Sequence, residues 1–181
     1  MVNGVENKGR NDQWHTYHVA MGANLGNREQ YLASALRALD VLPHTQLQRV
    51  SSIYETVPDS PIAQGMYLNA AAQLRSSLGP DMLLGCLLGI EAALGRKRVV
   101  RWGPRVIDLD LILFEDHEIH TAPMLVIPHP LLRERPFVLV PLAEIAPDAI
   151  CPPDGRTVRE LCADVQQKES VRWYKKSLQG D

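Results

Sequence analysis

The sequence lacks the features of a membrane or secreted protein. No apolar run is long enough to cross a bilayer, and the first residues lack the apolar core of a secretion signal. The chain has only three cysteines, Cys86, Cys151 and Cys162, an odd number without the spacing of a disulfide framework or a zinc site. We therefore expect reduced thiols, a cytoplasmic location and no membrane partner.

A strong net charge and a P-loop are also absent. The 19 Lys and Arg residues and 21 Asp and Glu residues give a formal net charge of -2, so no nucleic-acid partner is expected. No Gly-x-x-x-x-Gly-Lys-Ser/Thr sequence occurs, which excludes the P-loop way of holding nucleotide phosphates. The length of 181 residues and the hydrophobic content of 45% are typical of one globular domain.

Hydrophobic periodicity predicts alternating strands and helices. A first helix is expected to follow the cap residue Asn27, and a second begins at Pro80 and ends at Gly95. Strands are expected at 17–21, about 46–56, 67–74 and 108–114, and further helices at about 138–145 and 157–165. This order predicts an α+β fold with a ferredoxin-like antiparallel sheet and helices packed against it, in a single domain.

The ends of the chain differ from this domain in composition. Residues 1–16 are mostly polar and predict a flexible N-terminal extension, which leaves 17–165 as the domain and 166–181 as a C-terminal tail. The final stretch, which contains Trp173 and Tyr174, fits either a short strand or a tail.

Two aspartates lie inside an apolar strand, at positions 108 and 110. Because alternate residues of a strand point the same way, Asp108 and Asp110 present both carboxylates on one face, while Leu109 and Leu111 occupy the other. Such a pair is costly to bury unless a metal or a charged ligand binds it, and magnesium prefers oxygen ligands. The pattern favours a magnesium site, although an exposed edge strand would show the same spacing.

A cluster of cations directly precedes the acidic strand. Its members are Arg96, Lys97, Arg98, Arg101 and Arg105. Guanidinium groups match phosphate oxygens, and the flanking glycines favour a loop that moves over bound phosphates, with Trp102 helping to close it. The same cations would also suit a solvated surface or simple neutralisation of the acids. Together the two segments predict a magnesium-dependent nucleotide enzyme.

Other residues are suited to a flat ring beside those phosphates. Tyr67 and Phe137 are candidates for stacking, although an isolated aromatic is more often part of the core. Asn69 shares a strand face with Tyr67 and could bond ring nitrogens. Gly22 begins a turn that could expose backbone N–H groups to a ligand, although such a turn more often serves geometry alone. His129, between two prolines, is a candidate for facing the phosphates.

Four motifs in order resemble a known enzyme family. They are Tyr-Glu-Thr at 54–56, Tyr-Leu-Asn-Ala-Ala at 67–71, Arg-Trp-Gly-Pro-Arg-x-Ile-Asp-Leu-Asp at 101–110 and Ile-Pro-His-Pro at 127–130. In these motifs the chain resembles 6-hydroxymethyl-7,8-dihydropterin pyrophosphokinase of folate biosynthesis, over about residues 17–165. The resemblance implies transfer of diphosphate from ATP to the pterin hydroxymethyl group, giving AMP and the pterin diphosphate, with two magnesium ions.

The resemblance also implies a role for each site residue. The metal ligands are Asp108 and Asp110, and the catalytic loop residues are Arg96, Arg98, Arg105 and Trp102. The pterin-binding residues are Gly22, Thr56, Tyr67, Asn69 and Phe137, and the nucleotide-binding residues are Glu91, His129 and Arg135. The expected partners are ATP and the pterin, and a monomer is expected.

The chain departs from the family pattern in places, and two rival functions stay open. Ala23 stands where the family often has Ser, and Leu88 is apolar where some relatives are polar. Residues 57–60 lack the Pro-x-Gly sequence that ends the family's Thr-x-Pro-x-Gly loop. The rivals are a non-catalytic ferredoxin-like binding module and a metal-dependent phosphohydrolase. The aromatic sheet motif expected of an RNA-binding module is absent.

Overall fold

A six-stranded antiparallel sheet forms the centre of the structure, a computed structural model that describes residues 13–97, 103–121, 124–166 and 170–176. The strands are β1 (His15–Ala23), β2 (Thr45–Val50), β3 (Ile53–Thr56), β4 (Tyr67–Ser76), β5 (Asp108–Phe114), β6 (Ile119–Thr121), β7 (Leu125–Ile127), β8 (Ile150–Cys151), β9 (Arg156–Thr157) and β10 (Arg172–Lys175). The helices are α1 (Arg28–Asp40), α2 (Pro80–Ala93), α3 (Pro136–Ile145) and α4 (Val158–Asp164), with a short 3₁₀ helix at Leu132–Glu134.

The sheet has the strand order β10-β3-β4-β1-β5, and β2 also pairs with β4. Neighbouring strands are antiparallel throughout the sheet. Two small hairpins, β6–β7 and β8–β9, lie outside it. The predicted α+β class with an antiparallel sheet is therefore confirmed for the described residues.

Local sequence signals set the ends of the first two helices as predicted. The side chain of Asn27 accepts a hydrogen bond from the backbone N–H of Gln30 at 3.1 Å, which satisfies one of the free donors in the first turn of α1. Helix α2 begins at Pro80, whose missing N–H costs nothing there. Gly95 follows that helix with φ +86, a backbone conformation that residues other than glycine rarely adopt.

Apolar residues cover both faces of the sheet. On one face, α1 and α2 contribute the buried residues Leu32, Leu36, Leu39, Leu83 and Leu87 to a core that includes Leu109 and Leu111 of β5. On the other face, α3 and α4 contribute Val138, Leu139, Leu142 and Leu161 to a second core with Ala71 and Leu113. Because helices pack on both faces, the sheet is the middle layer of three.

Strand β5 changes face at a bulge. Val19 pairs with Leu111 and His18 pairs with Leu113, which leaves Ile112 unpaired between them. Before the bulge, Leu109 and Leu111 belong to the core under α1 and α2. After it, Leu113 belongs to the core on the other face. Asp108 and Asp110 alternate with them, so both carboxylates lie on the opposite side, as the sequence pattern predicted.

Two segments form strands that their local sequence did not delimit. The stretch expected as one strand at about 46–56 is divided into β2 and β3 at Ser51, whose N–H bonds to Ala71 O and whose Oγ accepts from Ala71 N, both at 2.9 Å. The final stretch around Trp173 is a strand, because β10 pairs with β3. Among the described residues, no helix has the length and apolar character needed to cross a bilayer.

His18 is a buried polar residue on the middle layer. It is 3% exposed, its Nε2 lies 3.1 Å from Gln73 Nε2, and its Nδ1 has no hydrogen-bond partner among the described residues. Burial disfavours the charged ring and lowers the pKa of His18 from 6.5 to about 4. As the pH falls, the unfolded chain therefore binds a proton at His18 at a higher pH than the folded chain does.

We expect His18 to destabilise the fold as the pH falls from 6.5 towards 4. In the variant His18→Gln, the free energy of unfolding should fall by about 2 kcal/mol less between pH 7 and pH 5 than in the unchanged protein. Urea unfolding at both pH values measures this difference. His120→Gln, at an exposed position, is the control, and equal pH dependence in all three proteins would contradict the expectation.

Candidate active site

An open cavity, with an empty volume of about 690 Å³ that includes the solvent at its mouth, lies where the C-terminal end of β1 meets β4 and β5. Nine of the residues predicted from the sequence line it, namely Gly22, Thr56, Tyr67, Asn69, Arg105, Asp108, Asp110, Arg135 and Phe137. They come from four strands, the loop between α2 and β5, and the start of α3. The fold therefore brings together residues that are far apart in the sequence.

A row of paired residues crosses the sheet beneath this cavity. Gly22 of β1 pairs with Asp108 on one side and with Asn69 on the other. A Cβ at Gly22 would lie 3.2 Å from Asn69 Oδ1 and 3.6 Å from Tyr67 Cδ1. The absent side chain therefore leaves space next to the polar group of Asn69.

The side chains on the β3–β4 side are held by hydrogen bonds. Asn69 is buried, and its Nδ2 donates to Thr56 Oγ1 at 2.8 Å, which fixes the orientation of the amide. The half-buried ring of Tyr67 has its hydroxyl 3.4 Å from Gln64 Oε1. Phe137, in the first turn of α3, lies on the α3 side of the cavity. Amide and aromatic groups thus share one cavity.

Acidic and basic groups are concentrated on the β5 side. Burial, and after it the neighbouring charge of Asp108, raises the pKa of Asp110 well above that of an ordinary aspartate. Arg135 Nη1 lies 3.9 Å from Asp110 Oδ2, and Arg105 Nη1 lies 2.5 Å from Asp108 Oδ2. A bound cation would relieve the repulsion that the arginines only partly offset.

Glu91 and Arg96 form a partly buried ion network behind Asp108. Arg96 contacts both Glu91 and Asp108. The Glu91 carboxylate also accepts a hydrogen bond from the backbone N–H of Leu109 at 2.7 Å, and burial raises its pKa. In this structure Glu91 therefore connects α2 to the start of β5, and it is not part of the cavity lining.

His129 also lies outside the cavity lining. Its backbone N–H donates to Ile112 O at 3.0 Å, and its Nδ1 accepts from the N–H of Leu131 at 3.2 Å. Burial, and after it the charge of Arg135, lowers the pKa of His129 to about 4, so the ring is neutral at pH 7. The other predicted residues, Arg98 and Trp102, lie outside the residues that the structure describes.

Asn24 binds two cavity-lining residues, Arg105 and Gln64, a role that sequence reasoning missed. Its Oδ1 accepts from the N–H of Arg105 at 2.8 Å, its N–H donates to Arg105 O at 3.1 Å, and its Nδ2 donates to Gln64 Oε1 at 2.9 Å. This buried side chain therefore connects the turn after β1 to two other loops. An asparagine in a turn directly after a buried strand was the available signal.

The amino-acid sequence matches one enzyme family over most of its length. The family model described as 7,8-dihydro-6-hydroxymethylpterin-pyrophosphokinase (HPPK) matches residues 18–147. The 2-amino-4-hydroxy-6-hydroxymethyldihydropteridine pyrophosphokinase of Methylorubrum extorquens is 44% identical over 146 residues, which cover 81% of this chain and 90% of the relative. The protein of that name from Bacillus subtilis is 42% identical over 161 residues, with coverages of 88% and 91%.

Solved structures share the fold at low sequence identity. A Plasmodium falciparum HPPK-DHPS crystal structure with pteroate has a TM-score of 0.70 and 14% identity, covering 90% of this chain and 47% of that chain. Another, with SDX-DHP, has a TM-score of 0.68 and 16% identity, covering 88% and 48%. The chain spans about half the length of those solved chains, whose similarity concerns the fold alone. The family match and the bacterial relatives confirm the resemblance seen in the motifs, and the chain belongs to the 7,8-dihydro-6-hydroxymethylpterin-pyrophosphokinase family.

Proposed function

We propose that this chain transfers the β,γ-diphosphate of ATP to the hydroxymethyl oxygen of 6-hydroxymethyl-7,8-dihydropterin, giving AMP and the pterin diphosphate for folate biosynthesis. Pyrophosphokinase activity follows from the family. The observation that supports the detailed reaction is one cavity whose lining includes the neighbouring carboxylates of Asp108 and Asp110, two guanidinium groups and two aromatic rings. Such transfer needs chiefly positioning and neutralisation of phosphate charge.

Asp108 and Asp110 are proposed as the ligands of two magnesium ions. Magnesium is commonly held by one or two carboxylates, because waters and substrate phosphates complete its shell. Asp108 and Asp110 supply two carboxylates from β5 to one cavity, which is the number of protein ligands that magnesium commonly uses. The raised pKa of Asp110 also fits a cation site. When bound, the ions supply charge neutralisation and help to activate the attacking oxygen.

Arg105 and Arg135 are proposed to hold the nucleotide phosphates. Both line the cavity beside Asp108 and Asp110, the acidic pair. Arg135 Nε is buried without a hydrogen-bond acceptor among the described residues, and an unpaired buried donor is costly until a ligand supplies an acceptor. The guanidinium plane offers further parallel donors that match phosphate oxygens. This free donor supports a role for Arg135 in binding the ATP phosphates.

The β3–β4 side of the cavity is proposed to bind the pterin. The rings of Tyr67 and Phe137 offer apolar surface on which a flat ring can stack. The fixed amide of Asn69 and the segment at Thr56 offer hydrogen bonds to the ring edge, and Gly22 leaves room beside them. We infer that the hydroxymethyl group of the bound pterin faces Asp108 and Asp110, because both line the same cavity.

The remaining assignments rest on the family resemblance. Arg96, Arg98 and Trp102 are proposed to act from the loop between α2 and β5. Glu91 and His129 are proposed to contact the nucleotide, and their neighbours Arg96 and Arg135 support a location close to the phosphates.

The topology, the oligomeric state and the location complete the proposal. We infer a ferredoxin-like βαββαβ core, which the strand order β3-β4-β1-β5 and the connecting helices α1 and α2 support. A monomer and a cytoplasmic location are also proposed. Free thiols at all three cysteines agree with a reducing compartment.

Formation of AMP tests this function directly. Purified protein with MgATP and 6-hydroxymethyl-7,8-dihydropterin should give AMP and the pterin diphosphate in equal amounts. A binding module would give neither product, and a phosphohydrolase would release phosphate or diphosphate when the pterin is omitted. Either of those results would replace the proposed function.

Gly22 provides a test of the pterin side of the cavity. In Gly22→Ala, the new Cβ would lie 3.2 Å from Asn69 Oδ1 and should displace that amide. We expect KM for the pterin to rise about 10-fold while KM for ATP changes less than about twofold. Steady-state kinetics with each substrate varied in turn measure the two values. Gly85→Ala is the control, because a Cβ there meets no atom within 4 Å, and equal changes in the two KM values would count against this placement of the pterin.

A further inference from the structure

The loop between β3 and β4, residues 57–66, forms much of the cavity lining away from the acidic pair. Val57, Asp59, Ser60 and Gln64 of this loop all line the cavity. The loop contains no helix or strand of its own, so its ends must be held for its side chains to keep their positions. The pairing of Thr56 with Tyr67 joins the two ends, and Asn24 Nδ2 donates to Gly65 O at 3.3 Å. Arg28 adds a further contact from outside the cavity lining.

Arg28 holds both ends of that loop with one nitrogen. Arg28 Nη1 donates to Glu55 Oε1 at 2.9 Å and to the backbone oxygen of Met66 at 2.9 Å. Glu55 precedes Thr56, the last residue of β3, and Met66 precedes Tyr67, the first residue of β4. The guanidinium group therefore bridges the entry and the exit of the loop, one residue away from two of the proposed pterin-binding residues.

The bond between Arg28 and Glu55 is more protected from water than a typical surface ion pair. The side chains of Arg28 and Glu55 are 27% and 29% exposed, so both are partly screened from water. The bond to a backbone oxygen also fixes the chain itself and not only a mobile side chain. Loss of the guanidinium would leave the Met66 carbonyl without this donor and loosen the exit of the loop, where the bond from Asn24 to Gly65 O remains.

Arg28 itself is fixed from two directions. It is the first residue of α1, directly after the cap residue Asn27. The next residue, Glu29, accepts hydrogen bonds from Tyr174 Oη at 2.8 Å and from Lys175 Nζ at 2.6 Å, and the bond from Lys175 is the main cause of its lowered pKa. Strand β10 therefore connects to the first turn of α1 as well as pairing with β3.

We propose that Arg28 is a positioning residue for pterin binding, acting through the two ends of the 57–66 loop. This inference rests on the proposed function, because it assigns the pterin to the β3–β4 side of the cavity. Arg28 is not part of the cavity lining, and it does not contact the carboxylates of Asp108 and Asp110 through any bond that the structure describes. Its loss should therefore weaken pterin binding and leave phosphate chemistry largely unchanged.

The variants Arg28→Ala, Arg28→Gln and Arg28→Lys test this role. We expect KM for the pterin to rise about 10-fold in Arg28→Ala, with kcat and KM for ATP within about twofold of the unchanged protein. Arg28→Lys retains a cation with several donors and should restore part of the pterin affinity. Arg28→Gln keeps most of the side-chain stem and supplies a folded test should the alanine variant be unstable; its KM for the pterin should also rise.

The matched control is Arg37→Ala in the same helix. Arg37 donates to Ser34 within α1 and lies in the last turn, away from the loop. Calorimetric titration with 6-hydroxymethylpterin in the presence of an unreactive ATP analogue gives a second measure of pterin affinity that does not depend on turnover.

The outcomes separate this inference from the proposed function. Unchanged pterin affinity in folded Arg28→Gln, or equal losses in Arg28→Ala and Arg37→Ala, would overturn the inference while AMP formation by the unchanged protein still supports the function. A merely structural role would lower thermal stability without a selective rise in pterin KM and without rescue by lysine. No AMP from the unchanged protein would refute the function first.

Discussion

Asp110→Asn is expected to lower kcat for AMP formation by about 1,000-fold, equivalent to about 4 kcal/mol of activation free energy. The carboxylate supplies a negative charge and oxygen ligands for magnesium, whereas the amide keeps the shape and loses the charge. The fold should remain intact, because burial and Asp108 already oppose ionisation of Asp110. A neutral side chain at this position therefore relieves repulsion, and thermal stability should be equal or slightly higher.

The measurement combines kinetics with metal titration. Initial rates of AMP formation give kcat, and calorimetric titration of magnesium in the presence of an unreactive ATP analogue gives the affinity for the ion. Asp116→Asn is a suitable control, because this exposed acid lies just beyond the other end of β5. Near-normal kcat with unchanged magnesium affinity in Asp110→Asn would remove the basis for the metal assignment.

The acidic pair was predictable because its signal is local. Alternation along a strand fixes which residues share a face, and Leu109 and Leu111 are buried in one core as that pattern requires. The helix starts at Asn27 and Pro80 were predictable for the same reason, since capping and proline placement act within one turn. Sequence patterns alone thus gave the main elements and the direction of both carboxylates.

Contacts between distant segments could not be predicted in this way. Asn24 bonds residues 40 and 81 positions further along the chain, and nothing within its own turn specifies those partners. The pairing of β10 with β3 joins residues such as Trp173 and Tyr54, so the local sequence left strand and tail equally open. The division between β2 and β3 at Ser51 likewise depends on its bonds to β4.

The grouping of the site residues could be predicted only in part. Motifs in the sequence supplied the residue types, and the resemblance supplied their proposed roles. The sheet then determines which of them meet: nine line one cavity, while Glu91 and His129 lie behind it with bonds to the protein itself. Burial of Glu91 against β5 was not visible in a helix whose other inward residues are apolar.

Arg105→Ala is expected to lower kcat by about 100-fold while KM for the pterin changes less than about threefold. The backbone of Arg105 is held by Asn24 through two hydrogen bonds that the substitution leaves in place, so the loop should keep its path. The substitution removes the guanidinium group beside Asp108 and its long bond to Gly103 O at 3.4 Å, and Arg96 still contacts the Asp108 carboxylate. Phosphate charge that develops during transfer would then lack one fixed counter-charge.

Arg105→Lys separates the contribution of charge from that of geometry. Lysine keeps the positive charge but lacks the planar pair of donors, so kcat should fall between the values for the arginine and alanine proteins. Arg75→Ala, at an exposed position near the far end of β4, is the control and should behave as the unchanged protein. Equal losses of kcat and pterin affinity in Arg105→Ala would count against a role confined to the phosphates, because a group that acts only on the phosphates does not weaken both alike.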